Sequence, residues 1–178
     1  MKKYFKAYVF LLPIAVVLIA LDQWTKYLVR MNLALGEFWM PLEWLAPYMR
    51  IVNWQNTGAA FGIFQGMNSV FMVLAFVIIA LILVYFPLIP EDDIFFRWAL
   101  TLQMAGATGN LIDRIYRGYV TDMVSVGRFP VFNLADSCIT MGVVILLIGM
   151  WVEERRAHHE SRTETEPGPD HTVESLGE

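Results

Sequence analysis

The sequence has a single cysteine, Cys138, so no internal disulfide framework can brace the chain. Cys138 lies in an apolar run, where a thiol reads as a small packing residue. Histidine is nearly as scarce: His158, His159 and His171 all fall in the polar C-terminal stretch. The apolar body therefore offers no imidazole to activate a serine or cysteine nucleophile and no His-rich zinc motif. Charge is also sparse. Only 17% of residues are charged against 57% hydrophobic, where soluble domains carry about 25% charged residues. The mean hydropathy of +0.49 implies a non-aqueous partner, and lipid is the obvious one. No basic cluster is interleaved with aromatics, which argues against a nucleic-acid surface.

What charge there is has an uneven distribution. The formal net charge is -4. From Glu153 onward there are eight acidic and three basic residues, leaving residues 1–152 with a net +1. The acidity belongs to the tail, which also has almost no apolar residues and is expected to be disordered.

At 178 residues the chain is the size of one domain. Four apolar segments predict helices over about 7–29, 68–86, 96–113 and 135–152. Ser69 to Phe86 has 18 residues without a charge, enough to cross a bilayer. The other three have uncharged cores of 15–16 residues, a little short of the usual ~20, so each must hold polar residues in the interfacial zone. The third is rich in small residues (Ala105, Gly106, Ala107, Gly109). The first begins like a signal peptide, with Lys2, Lys3 and Lys6, but lacks a convincing small-residue cleavage site and keeps its helical pattern past Asp22.

Four spans place both termini on one side. The N-terminal lysines, with Arg155 and Arg156 after the fourth helix, point to the cytoplasm. The loop from Arg30 to Asn68 holds Phe38, Trp39, Trp44, Tyr48 and Trp54, residues that favour the membrane interface. Its run Arg50–Trp54 has strand character, with Gly58 and Gly62 as breakers. A small sheet and a surface-lying segment are expected there.

Threading the spans brings polar residues to one membrane face. Asp22 and Lys26 end the first helix. Asn53 and Asn56 approach the second. Asn110, Asp113 and Arg114 end the third, and Asp122, Asn133 and Asp136 lead into the fourth. Ionisable residues at membrane depth cost about 2.5–3.5 kcal/mol each on insertion scales, which marks them as functional candidates. Each also has a plainer reading. Asp22 and Lys26, four apart on one helix face, form either a neutralising pair or a substrate contact. Arg114 is either a ligand for carbonyls and head groups or an interfacial anchor. Asp136 sits where a helix cap would, and Asp122 where a loop turn would. Together, two carboxylates in a His-free site suggest a dyad sharing one proton, in which one takes a proton from water and the other donates to a carbonyl. A proton relay would spread its polar groups across mid-membrane and both faces, and a helical scaffold would need no aspartate pair.

Five segments carry a resemblance: Asp22-Gln23-Trp24-Thr25-Lys26, Asn56-Thr57-Gly58-Ala59-Ala60-Phe61-Gly62, Gly106-Ala107-Thr108-Gly109-Asn110-Leu111-Ile112-Asp113-Arg114, Gly118-Tyr119-Val120-Thr121-Asp122 and Phe132-Asn133-Leu134-Ala135-Asp136. In this order, at the ends of four helices, they resemble the lipoprotein signal peptidases, also called signal peptidase II. The resemblance covers nearly all of residues 4–152. It implies an all-α membrane protein of four transmembrane helices, with a small extracytoplasmic β-rich cradle and an interfacial helix in the loop after helix one. Residues 1–152 would form the peptidase domain, and 153–178 a disordered acidic cytoplasmic tail. It further implies an aspartyl endopeptidase of the bacterial inner membrane that cleaves diacylglyceryl-modified prolipoproteins before the lipidated cysteine, near the outer face. Asp122 and Asp136 match the catalytic aspartates. Asn56, Asn110, Arg114 and Asn133 match residues that hold the substrate. Asp22, Lys26, Gly58, Gly106, Gly109, Asp113 and Ala135 match supporting positions. No metal or cofactor is implied, the partners are substrate and lipid, and a monomer is expected.

Overall fold

The computed structural model describes residues 2–58 and 64–165. Its elements follow in the order α1 (Lys2–Asn32), β1 (Phe38–Trp39), β2 (Met49–Asn56), α2 (Asn68–Tyr85), α3 (Ile94–Arg117), β3 (Val120–Val126) and α4 (Leu134–Thr165). Single 3-10 turns occupy Glu43–Leu45 and Phe86–Leu88. The chain is mostly helical, with one small sheet.

Among the described residues, three helices are long and apolar enough to cross a membrane: Tyr4–Asn32, Asn68–Leu88 and Leu134–Arg156. Their outward faces stay apolar. On α2, Val73, Phe76, Val77, Leu81 and Val84 are all exposed, an arrangement suited to lipid and costly in water. The fourth helix, α3, is more polar for a structural reason. It packs against α1, α2 and α4, and its Thr101, Asn110 and Asp113 are buried in protein. An interior helix can carry groups that a lipid-facing one cannot.

Small residues let α3 and α4 approach closely. A Cβ on Gly106 would collide with the Ala135 carbonyl oxygen, and one on Gly142 would lie 2.8 Å from the Ala99 carbonyl oxygen. At the opposite end, Ala7, Leu11 and Ala15 of α1 pack with Ile82, Phe86, Met104 and Ala105. The α3 helix begins at Asp93, whose carboxylate accepts the Phe96 N–H. It ends at Gly118, a left-handed residue at φ 76°, the backbone state that glycine adopts without strain.

The sheet is antiparallel, in the order β1-β2-β3. The sequence placed a strand near Arg50–Trp54, which β2 realises. It read Asp122 in a loop, whereas Asp122 stands within β3, opposite Trp54. The helices α1, α3 and α4 extend past their sequence limits at both ends, whereas α2 matches its limits to within one residue. In particular α4 runs to Thr165 rather than stopping at residue 152. Residues 153–165, expected to be unstructured, are helical because Glu, Arg and Ala favour helix and the first proline after Asn133 is Pro167. Residues 166–178 of the tail lie outside the described residues. Among the described residues, the only helical element between α1 and α2 is the 3-10 turn Glu43–Leu45, where an interfacial helix was expected.

Candidate active site

Two layers of polar side chains meet where α1, α3, β3 and the start of α4 converge. The deeper layer is ionic. Lys26, fully buried, bonds Asp22 Oδ2 at 2.9 Å and Asp113 Oδ2 at 3.2 Å. Asp113 also pairs with Arg117 at 3.3 Å and Arg30 at 3.7 Å. Both carboxylates hold backbone as well: Asp22 Oδ1 accepts the Ala135 N–H at 3.0 Å, and Asp113 Oδ2 accepts the Thr121 N–H at 3.1 Å. The cluster therefore pins α1 to α3, to β3 and to the first turn of α4. The expected Asp22–Lys26 pair is present and has Asp113 as a third partner.

The cluster also orients the second layer. Lys26 Nζ donates to Asn110 Oδ1 at 3.0 Å. An ammonium only donates, so the Asn110 oxygen must face Lys26 and its amide nitrogen must face away. That nitrogen donates to Asp136 Oδ1 at 2.8 Å. Asn133 Nδ2 also donates to Asn110 Oδ1, at 3.2 Å, and to Asp122 Oδ1 at 2.7 Å. Asn56 Nδ2 reaches Asp122 Oδ2 at 2.9 Å. One buried cation thus sets the direction of a chain of amides that ends on both aspartates.

Asp136 is held by a reciprocal cap. Its N–H donates to Asn133 Oδ1 at 2.9 Å, and its Oδ2 accepts the Asn133 N–H at 3.1 Å, a capping box at the N-terminus of α4. The helix-cap reading of Asp136 is therefore correct, but it uses one carboxylate oxygen and leaves the other turned to Asn110. Asp122 is 1% exposed. Burial, and then the negative charge of Asp136, push its carboxyl up to about 7, against the opposing pull of Asn56, Asn133 and Lys26.

Both aspartates line one cavity of about 460 Å³, together with Asn56, Gly58, Asn110 and Arg114. Arg114 donates to the Gly58 carbonyl at 3.3 Å and stacks over Phe71 at 5.1 Å. Its buried Nε has no hydrogen-bond partner among the described residues. The remaining wall is mostly apolar: Val120, Phe129 to Phe132 before α4, and Ile139 and Met141 on it, with the hydroxyls of Ser137 and Thr140 between them. Sequence reasoning did not single out these wall residues, most of which carry no polar signature. It also missed Arg30 and Arg117 as members of the ionic layer. Their spacing was a usable signal, since Arg30 stands four residues after Lys26 and Arg117 four after Asp113.

Gly109 is where the two layers are tightest. A Cβ there would lie 2.6 Å from Asp22 Oδ2 and 3.3 Å from Ala135 Cβ. Gly109→Ala is expected to displace Asp22 from Lys26 and cost about 1–3 kcal/mol as overpacking. Thermal unfolding in detergent reads this directly; an unchanged melting temperature would mean that the helices part freely at this point.

Comparison with known proteins supplies the context for this arrangement. The family described as signal peptidase (SPase) II matches residues 14–152. A "Lipoprotein signal peptidase" of Halalkalibacterium halodurans is 40% identical over 151 residues, covering 83% of this chain and 95% of that one. Another, from Enterococcus faecalis, is 35% identical over 147 residues, covering 81% and 89%. Among solved structures, a bacterial membrane enzyme determined by the in meso method at 2.3 Å superposes with a TM-score of 0.72 at 26% identity, covering 93% of each chain. A second, at 1.9 Å, gives 0.67 at 32% identity, covering 78% of this chain and 90% of that one.

Proposed function

Because this chain belongs to the signal peptidase II family, a family of membrane proteases, we propose that it is an aspartyl endopeptidase that removes signal peptides from diacylglyceryl-modified bacterial prolipoproteins, cutting on the N-terminal side of the lipidated cysteine. The observation that carries this reading is the pair Asp122 and Asp136 on one cavity, each carboxylate oxygen already taking one N–H donor.

In this mechanism the pair holds one proton. Asp136, at the positive end of α4, takes a proton from water. Asp122, protonated, donates to the scissile carbonyl. The Arg114 Nε–H, without a partner among the described residues, is offered to a substrate carbonyl, and Asn56 and Asn110 keep the aspartates in place. Gly106, Gly109 and Ala135 let the helices close behind them. Residues 1–152 form the catalytic unit. All four helices cross the inner membrane with both termini cytoplasmic, and the sheet with the active site lies at the outer face. The aromatic loop after α1 rests in the interface, its surface-lying segment serving as a lid, and diacylated substrate enters sideways from lipid. The enzyme works as a monomer without a metal.

The test pairs two substrates, one prolipoprotein with and without its diacylglyceryl group, incubated with purified protein in detergent. The lipidated form is cleaved far faster. Equal rates would remove the lipid from recognition. The pH profile adds a second check. Since Asp122 must enter protonated, kcat/KM falls above an alkaline limb near 7. The Asn56 donor favours the ionised form of Asp122, so Asn56→Ala moves that limb to higher pH. A limb that stays in place would separate Asn56 from the titrating group.

A further inference from the structure

A second groove of about 330 Å³ lies on the sheet, lined by Phe38, Arg50, Val52, Trp54, Ser125 and Val131. Val131 also lines the cavity that holds the two aspartates, so the two spaces share a wall. Both strands run between them. On β2 the chain passes from Asn56, at the aspartates, back to Arg50. On β3, Asp122 stands opposite Trp54, and Ser125 stands opposite Arg50.

The groove carries one charge. Arg50 is exposed and its guanidinium lies 4.9 Å from the centre of the Phe38 ring. Among the described residues no carboxylate pairs with it. An aromatic face steadies the cation without neutralising it, which leaves its outward N–H groups for an incoming acid. Phe38 and Trp54 are each about half exposed and supply apolar flanks for an extended peptide.

We propose that this groove is a specificity subsite for an acidic side chain of the substrate, on the mature side of the cut. This rests on the peptidase reading above. From Asp122 to Ser125 is three strand residues, roughly 10 Å at about 3.3 Å per residue. An extended substrate leaving the aspartates reaches Arg50 about three residues from the scissile bond. The segment in question is the mature one, because the sheet is built from the loops off the helix ends, whereas the apolar signal sequence remains among the helices.

The experiment compares diacylglyceryl-modified substrates that carry Asp, Ala or Lys at the third residue after the cysteine, in low salt. Wild-type protein is expected to cleave the Asp substrate with a kcat/KM about fivefold above the Lys substrate, the scale of a good exposed ion pair, and salt should narrow the gap. Arg50→Glu should reverse the order, so that the Lys substrate is cleaved faster than the Asp substrate. Three substrates cleaved equally by wild type, or an order that survives Arg50→Glu, would overturn the subsite and leave the peptidase reading intact. Cleavage of none of them by folded wild-type protein would overturn both.

Discussion

Asp122→Asn and Asp136→Asn are each expected to lower turnover by about a thousandfold or more, the scale of losing a positioned general acid or base, while the helical fold remains. An asparagine occupies the same space but can neither accept the water proton nor release one to the carbonyl. The stability of Asp122→Asn gives an independent check. The buried Asp122 carboxyl is pushed from 3.8 up to about 7, so the folded chain binds a proton that the unfolded chain releases. Stability linked to that proton is fully present below pH 3.8 and is lost as pH rises through 7. An asparagine does not titrate. The melting temperature of Asp122→Asn minus that of wild type should therefore increase from pH 5 to pH 8. A difference that is flat with pH would place the titrating group elsewhere, and near-normal turnover in either variant would break the dyad assignment.

The second large effect is expected at Lys26. Replacing it by methionine strands Asp22, whose only cation is Lys26 among the described residues, and weakens the hold on Asp113. Breaking a buried ion pair from one side costs about 3–5 kcal/mol, because a charge is left without a partner. Lys26→Met should therefore lower the melting temperature in detergent sharply. Asp22→Asn added to Lys26→Met should recover part of the loss, since the stranded charge disappears. Additive losses in the double variant would show that the two residues do not interact. Lys26→Met should also lower turnover in the protein that remains folded. Without the ammonium, Asn110 is free to turn its oxygen toward Asp136, where it meets a carboxylate rather than serving it.

Much of this was legible before the structure, for identifiable reasons. The helix segments follow from charge-free runs, which lipid enforces without ambiguity. The convergence of Asp22, Asn110, Asp113 and Asp136 follows from their places at the ends of their helices. Asp122 and Asp136 stood out as candidates because no histidine competes with them in residues 1–152, and the structure brings both to one cavity. Three things were not legible. The β3 strand was hidden because the strand state of Val120–Val126 depends on pairing with β2 some 70 positions earlier in the chain. The polarity of the amide chain from Lys26 to the aspartates needs three-dimensional neighbours, since Lys26, Asn110 and Asn133 are far apart in sequence. The apolar wall from Phe129 to Phe132 has the same composition as any interfacial loop, and only the cavity beside it reveals its place.

The account is tested most directly by the masses of the two products formed when purified protein is given a single diacylglyceryl-modified prolipoprotein in detergent. It predicts one cut, leaving a free α-amino group on the lipidated cysteine and a signal peptide ending at the residue before it. A cut at any other bond, or an intact substrate after incubation with folded protein, would contradict it.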